Sequence, residues 1–165
     1  MHKNTLGKYA LLFLFLSLIL AACSNREQAK SHLTDMYIHS LTKMLELHPS
    51  ILSNASYLSI DMSTISSLNE TEKQQVVLYF SKTYHLPVYT KKLSELSSPQ
   101  FRNPQTQELT GVLLKLENSQ FHLFRQVSVS TSFYQSNKYR FGTITTFNYS
   151  SHNWYVDSFQ QTWTS

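Results

Sequence analysis

The spacing of apolar residues changes once along this chain, from three and four in the first part to two from Thr110 onward, and that change bounds the fold more tightly than any motif. Over about 26–48, Leu33, Met36, Tyr37, Leu41, Met44 and Leu45 recur at helical spacing until Pro49 ends the pattern, which predicts an amphipathic helix with one buried face. A second helix is predicted to open at Asn69, where Glu72 stands at the capping-box spacing and Glu70 and Glu72 favour the positive end of the helix dipole. Its stripe is Val76, Val77, Phe80 and Tyr84. Between the helices, YLSIDMS at 57–63 reads as β-rich. HLPVY at 85–89 reads as a short extended piece that Pro87 confines to an edge. Residues 90–97 are expected to form a short third helix, and 97–107, with two prolines and no period, a loop.

From Thr110 the pattern is that of half-buried strands. Val112, Leu114 and Leu116 alternate with Leu113, Lys115 and Glu117, and Glu117-Asn118-Ser119-Gln120 is expected to turn the chain. Phe121, Leu123, Val127, Val129, Thr131 and Phe133 then alternate with Ser128, Ser130 and Ser132; Tyr139, Phe141, Phe147 and Tyr149 share a side, as do Tyr155, Phe159 and Trp163. This predicts a meander of about four antiparallel strands with aromatic pairs across neighbours. Amphipathic helices followed by a one-faced meander are satisfied by an α+β layer fold, N-terminal helices packed on a curved antiparallel sheet. The specific expectation is a cone-shaped NTF2-like or cystatin-like fold, in which Gly142, in mid-strand, suits a bend or bulge.

The first 22 residues have a different character. His2, Lys3 and Lys8 precede the apolar run YALLFLFLSLIL, followed by the small residues Ala21 and Ala22 and then Cys23, the only cysteine. This is the layout of a secretory signal, and the run is short for a spanning helix. Leu20-Ala21-Ala22-Cys23 resembles the lipobox of bacterial lipoproteins, which implies a diacylglyceryl group on the Cys23 sulfur and cleavage just before it; the alternative is a plain signal peptide with a chance cysteine near its end. The expected organisation is a signal peptide at 1–22 and a single lipid-anchored domain at 23–165, helical over about 24–56, mixed over 57–97, a loop over 98–109 and a β-meander over 110–165. The expected place is the extracytoplasmic face of the cell membrane.

Removing Lys3 and Lys8 from the 14 basic residues leaves 12 against 10 acids, so the mature charge gives no reason to expect nucleic-acid binding. With Cys23 lipidated no disulfide is available, and stability must come from a core that 41% apolar content can supply. Asn69-Glu70-Thr71-Glu72-Lys73, Gly111-Val112-Leu113-Leu114, Lys138-Tyr139-Arg140 followed by Gly142, and the ending from Trp154-Tyr155-Val156 to Thr162-Trp163-Thr164-Ser165 resemble a group of small uncharacterised proteins from Bacillus-type bacteria. The resemblance covers about 57–165 and implies a Gram-positive origin.

Signatures of chemistry are few. The chain has three glycines and no glycine-rich phosphate loop, no G-x-S-x-G elbow and no H-E-x-x-H; no cofactor is expected. His32, Asp35 and His39 stand at helical spacing and could project toward one ion, but the plain reading is a solvated face, and no metal site is expected. Parity along the strands places Arg125 and Asp157 on the aromatic face with Phe121, Phe133, Phe141, Phe159 and Trp163, where a charge must be paired, hydrogen-bonded or functional. Arg125, Asp157, Tyr155 and Phe159 are therefore the candidate pocket, with a structural ion pair or charges at strand ends as the plain alternative.

These readings favour a membrane-anchored module that binds an envelope protein, peptide or glycan through its sheet face or its 97–107 loop. The alternatives are a small enzyme with Asp157 as acid or base in a conical pocket, and an immunity-type lipoprotein that blocks an envelope target by position. An enclosed cavity around Asp157 would favour the enzyme and a filled sheet interior the binder.

Overall fold

The structure, a computed structural model, describes residues 29–122, 125–137 and 139–164. The signal-like segment with Cys23 lies outside these residues, as do Leu123 and Lys138. Helix α1 (Leu33–Glu46) buries all six of the periodic apolar residues together with Ser40, whose hydroxyl donates to the Met36 carbonyl at 2.7 Å. No side chain caps its start, so the helix is held by packing. A single turn, α2 (Ser50–Ser53), follows Pro49 and places Ile51 in the core.

Helix α3 (Glu70–Tyr84) has the expected capping box. Asn69 Oδ1 accepts the Glu72 N–H at 3.0 Å while Glu72 Oε2 accepts the Asn69 N–H at 2.7 Å. It ends at His85, whose φ of 57° is left-handed and whose N–H donates back to the Ser81 carbonyl. Val76 and Phe80 are buried, with Val77 and Tyr84 packed at the margin. Residues 90–97 form only a three-residue 3-10 turn (Leu93–Glu95) instead of a third helix of the α type, and a second 3-10 turn (Pro99–Phe101) lies in the expected loop.

One sheet of six strands carries the molecule: β1 (Leu58–Asp61), β2 (Val88–Tyr89), β3 (Val112–His122), β4 (Gln126–Ser136), β5 (Tyr139–Ser150) and β6 (Asn153–Thr164), in the order β2-β1-β3-β4-β5-β6. The α+β frame and the four-strand meander are as expected. The expected count of about four, all antiparallel, is corrected to a mixed sheet of six, because β1 pairs in parallel with both β2 and β3. Helix α3 provides the long connection that parallel pairing of β1 and β2 requires.

The expected turn at 117–120 is also corrected. Strand β3 runs on through His122 with an irregularity at Glu117, and the antiparallel partner β4 begins at Gln126, preceded by Arg125 with a φ of 62°. A bulge inside a strand and a hairpin turn share polar, turn-forming residues, which is why Glu117-Asn118-Ser119-Gln120 misleads.

The helices cover one face of the sheet. Phe133 and Phe141 lie directly opposite each other and stack at 4.9 Å, beside Val127, Val129 and the α1 residues Tyr37, Leu41 and Met44. Two buried threonines in this layer, Thr131 and Thr143, satisfy each other at 2.7 Å. The helical side of the sheet is thus filled with packed side chains.

The opposite face is partly covered by residues 90–111. Leu96, Phe101 and Leu109 pack with Tyr57 and Leu113 into a second, smaller core. Arg102 clasps this segment through Nε to the Leu96 carbonyl at 2.9 Å and Nη1 to the Gln107 carbonyl. The Tyr57 hydroxyl donates to the Phe101 carbonyl at 3.0 Å. Gly111 is required here, because a Cβ would lie 2.6 Å from the Tyr57 ring.

Burial pushes the Tyr57 phenol up to about 12, against the weaker opposing pull of Arg102. The unfolded chain releases this proton near pH ~10 and the folded chain near ~12, so between them the unfolded state binds fewer protons and stability falls as pH rises. Denaturant melts across this range should show that decline, with a shallower slope in Tyr57→Phe; burial likewise raises Tyr84 and Tyr139, which leaves a residual slope in the variant.

Candidate functional site

The four sequence-derived pocket residues are not brought together on one face. Arg125 sits exposed in the β3–β4 turn with its guanidinium 5.2 Å from the centre of the Tyr149 ring. Along β6 the register slips at Asp157, since Phe147 pairs with Val156 while Thr146 pairs with Ser158. Asp157 is the extra residue, exposed on an edge strand. The slip sends its flanking aromatics to opposite faces: Tyr155 pairs with outward Asn148 and is 47% exposed, whereas Phe159 pairs with buried Thr145 and packs at the core margin. A charge on a bulge of a long edge strand is a known obstacle to pairing with another chain, which accounts for Asp157 in physical terms.

The histidine and carboxylate set on α1 is dispersed in a similar way. His32 occupies the N-cap position, and the His39 ring meets Phe147 edge-on at 6.0 Å. Among the described residues no three His, Cys, Asp or Glu side chains are grouped to hold a metal ion.

A different set converges on the outer sheet face, in a groove of about 410 Å³ bounded by the sheet and the 3-10 turn Leu93–Glu95. Its charged residues are Asp61, Lys92, Lys115, Glu117 and Arg140, and Trp163 forms one wall. Strand pairing explains the convergence. Asp61 lies opposite Lys115, Lys115 opposite Ser132, Ser132 opposite Gly142, and Gly142 opposite Trp163, so one row crosses five strands.

Lys115, Glu117, Ser132 and Asp61 are positioned by their neighbours. Lys115 Nζ meets Glu117 Oε2 at 2.6 Å, and the Ser132 hydroxyl donates to Glu117 Oε1 at 2.7 Å, so both oxygens of that carboxylate are engaged. Asp61 is 6% exposed, and its Oδ1 accepts from the Ser63 backbone N–H at 2.9 Å and the Ser63 hydroxyl at 2.6 Å. Among the described residues its Oδ2 has no hydrogen-bond partner. Trp163 is 47% exposed, and its indole lies on Gly142, where a Cβ would come within 2.7 Å of ring atom Cε2. The absence of a side chain at position 142 is what lets the ring lie there.

A second groove, about 940 Å³, runs between α3 and the edge strand β2. It is lined by Val77, Leu78, Val88 and Tyr89, with Lys73 and Glu70 already paired at 2.7 Å. None of Arg125, Asp157, Tyr155 and Phe159 lines either groove.

Sequence reasoning missed Asp61, Lys115, Glu117 and Trp163 as a set. The signal for three of the four was visible, because Lys115 and Glu117 alternate with the apolar Val112, Leu114 and Leu116, as Asp61 does with Leu58 and Ile60. The parallel register that brings Asp61 to Lys115 has no local signature. No protein-family model, no curated protein and no solved structure matches this chain.

Proposed function

We propose that this chain is a lipid-anchored lipoprotein on the extracytoplasmic face of a cell membrane, whose domain binds an envelope component through the outer-face groove. The observation that carries the binding role is the pairing of a filled helical face with an outward groove in which charged side chains and a half-exposed indole are fixed by neighbours. Small ligands are bound by concave surfaces where a few polar groups converge among apolar ones. Asp157 stands exposed on the edge strand and outside both grooves, which weighs against the acid/base enzyme.

The anchor rests on the lipobox-like Leu20-Ala21-Ala22-Cys23 after the apolar run. Among the described residues no helix is long and apolar enough to cross a membrane. Ala29, six positions after Cys23, is already buried in the core, so a chain fixed at Cys23 holds the domain within about 20 Å of its lipid. The finer fold reading, NTF2-like or cystatin-like, is supported by helices on one face of a bulged antiparallel meander; the parallel β2-β1-β3 edge is an addition to that plan.

Photocrosslinking in intact cells tests the binding role. A benzophenone amino acid replacing Trp163 should give a discrete adduct, whereas the same group at His152, exposed in the β5–β6 turn, should not. Equal adducts from both positions, or none from position 163, would contradict a groove-specific role and favour an immunity-type protein acting by position.

A further inference from the structure

Resting on that reading, we infer that the outer-face groove takes a neutral saccharide, with Trp163 as the platform for a sugar ring and Asp61 as the acceptor for its hydroxyls. The backbone of the groove floor is committed. Along the row from Asp61 to Trp163, β3, β4 and β5 have a partner on each side, so an extended peptide has no free ladder to join across the middle of the floor, and the outer edge of β6 is open. Recognition must come from side chains.

Those side chains are mixed in a way that selects among ligand charges. Glu117 is neutralised by Lys115 and held by Ser132, leaving a fixed polar wall. Asp61 then faces a groove that also contains Lys92 and Arg140. A phosphate or carboxylate ligand would meet the buried Asp61 carboxylate, and a cationic ligand would meet the lysines and the guanidinium. A hydroxyl both donates and accepts, so it is served by Asp61 Oδ2 on one side and by an ammonium donor such as Lys92 on the other.

The carboxylate is itself the strongest pointer. Asp61 is more than nine-tenths buried, its Oδ1 is saturated by Ser63, and its Oδ2 has no partner among the described residues. Asp61 Oδ2 is not one of the buried atoms left without a partner, so it is the part of this otherwise buried residue that opens onto the groove it lines, an acceptor free for a ligand hydroxyl. The half-exposed Trp163 indole, lying on the bare backbone of Gly142, offers a flat apolar surface to the C–H face of a pyranose. The groove volume of about 410 Å³ suits one or two sugar rings rather than a folded partner.

The test uses the full chain purified in detergent, titrated by calorimetry and tryptophan fluorescence with two neutral probes, β-1,4-linked N-acetylglucosamine tetramer and maltotetraose. A glycerol-phosphate oligomer and tetralysine serve as charged comparisons. At least one neutral tetrasaccharide should bind saturably with a Kd of about 1 mM or tighter, shifting the tryptophan emission, and neither charged probe should match it. Asp61→Asn and Trp163→Phe should each weaken binding about tenfold with the circular dichroism spectrum unchanged; Trp163 is half exposed, so its variant keeps the test open if Asp61→Asn fails to fold.

No saturable binding of either neutral probe, or tighter binding of a charged one, would overturn the saccharide assignment. The two failures separate cleanly. A protein adduct from position 163 without saccharide binding removes this inference and leaves the binding module, whereas loss of the position-specific adduct removes the module itself.

Discussion

Phe133→Ala is expected to remove about 3–5 kcal/mol of stability, a large part of the ~5–15 kcal/mol that holds a domain of this size together. Phe133 is 1% exposed at the centre of the helical face, stacked on Phe141 at 4.9 Å and met edge-on by Tyr139 at 5.6 Å. Its loss opens a cavity between the sheet and α1, and strand pairing on both sides prevents β4 from moving in to fill it. Thermal melts followed by circular dichroism should show a midpoint lower by on the order of 10 °C or more. A shift of only a degree or two would mean that the helical face is not the packed core described above. The comparison matters for function because a packed helical face leaves the outer face to bind.

The second large effect concerns Cys23. Attachment of a diacylglyceryl group to its sulfur would place two acyl chains in the bilayer, and each buried methylene contributes about 0.8 kcal/mol. One chain gives marginal, reversible binding, while two give stable retention. Cys23→Ala removes the only sulfur that can form the thioether, so the effect is all-or-none rather than graded. It should leave the domain's stability unchanged, because the described core contains no cysteine.

How much of this architecture was legible in the sequence differs by element. The apolar stripes of α1 and α3 were read residue by residue, because a helix face is decided by neighbours three and four apart. The capping box at Asn69 is equally local, and it is present with both bonds. The meander was legible as alternation, and Val127, Val129 and Phe133 face the core as that alternation requires.

The candidate pocket failed where alternation is interrupted. Parity counts residues and assumes one face change per step, so the extra residue at Asp157 put Tyr155 and Phe159 on one face when the slip separates them. Arg125 failed for a related reason, since the strand that was expected to contain it begins one residue later. The six-strand count failed because the pairing of β1 with β2 and β3 is set by a chain crossing through α3, which no local pattern encodes. The loop at 97–107 was expected to be the least structured segment. It is instead held by Arg102, whose guanidinium bonds to the Leu96 and Gln107 carbonyls, and by the Tyr57 hydroxyl, which reaches Phe101 from far away in sequence.

The lipid anchor at Cys23 is tested by the intact mass and membrane partition of the native protein beside Cys23→Ala. Native protein should stay with membranes and carry the added mass of acyl chains, while the variant should carry none and be lost from the membrane fraction. Native protein released without lipid, or a variant retained as well as the native form, would contradict the anchor.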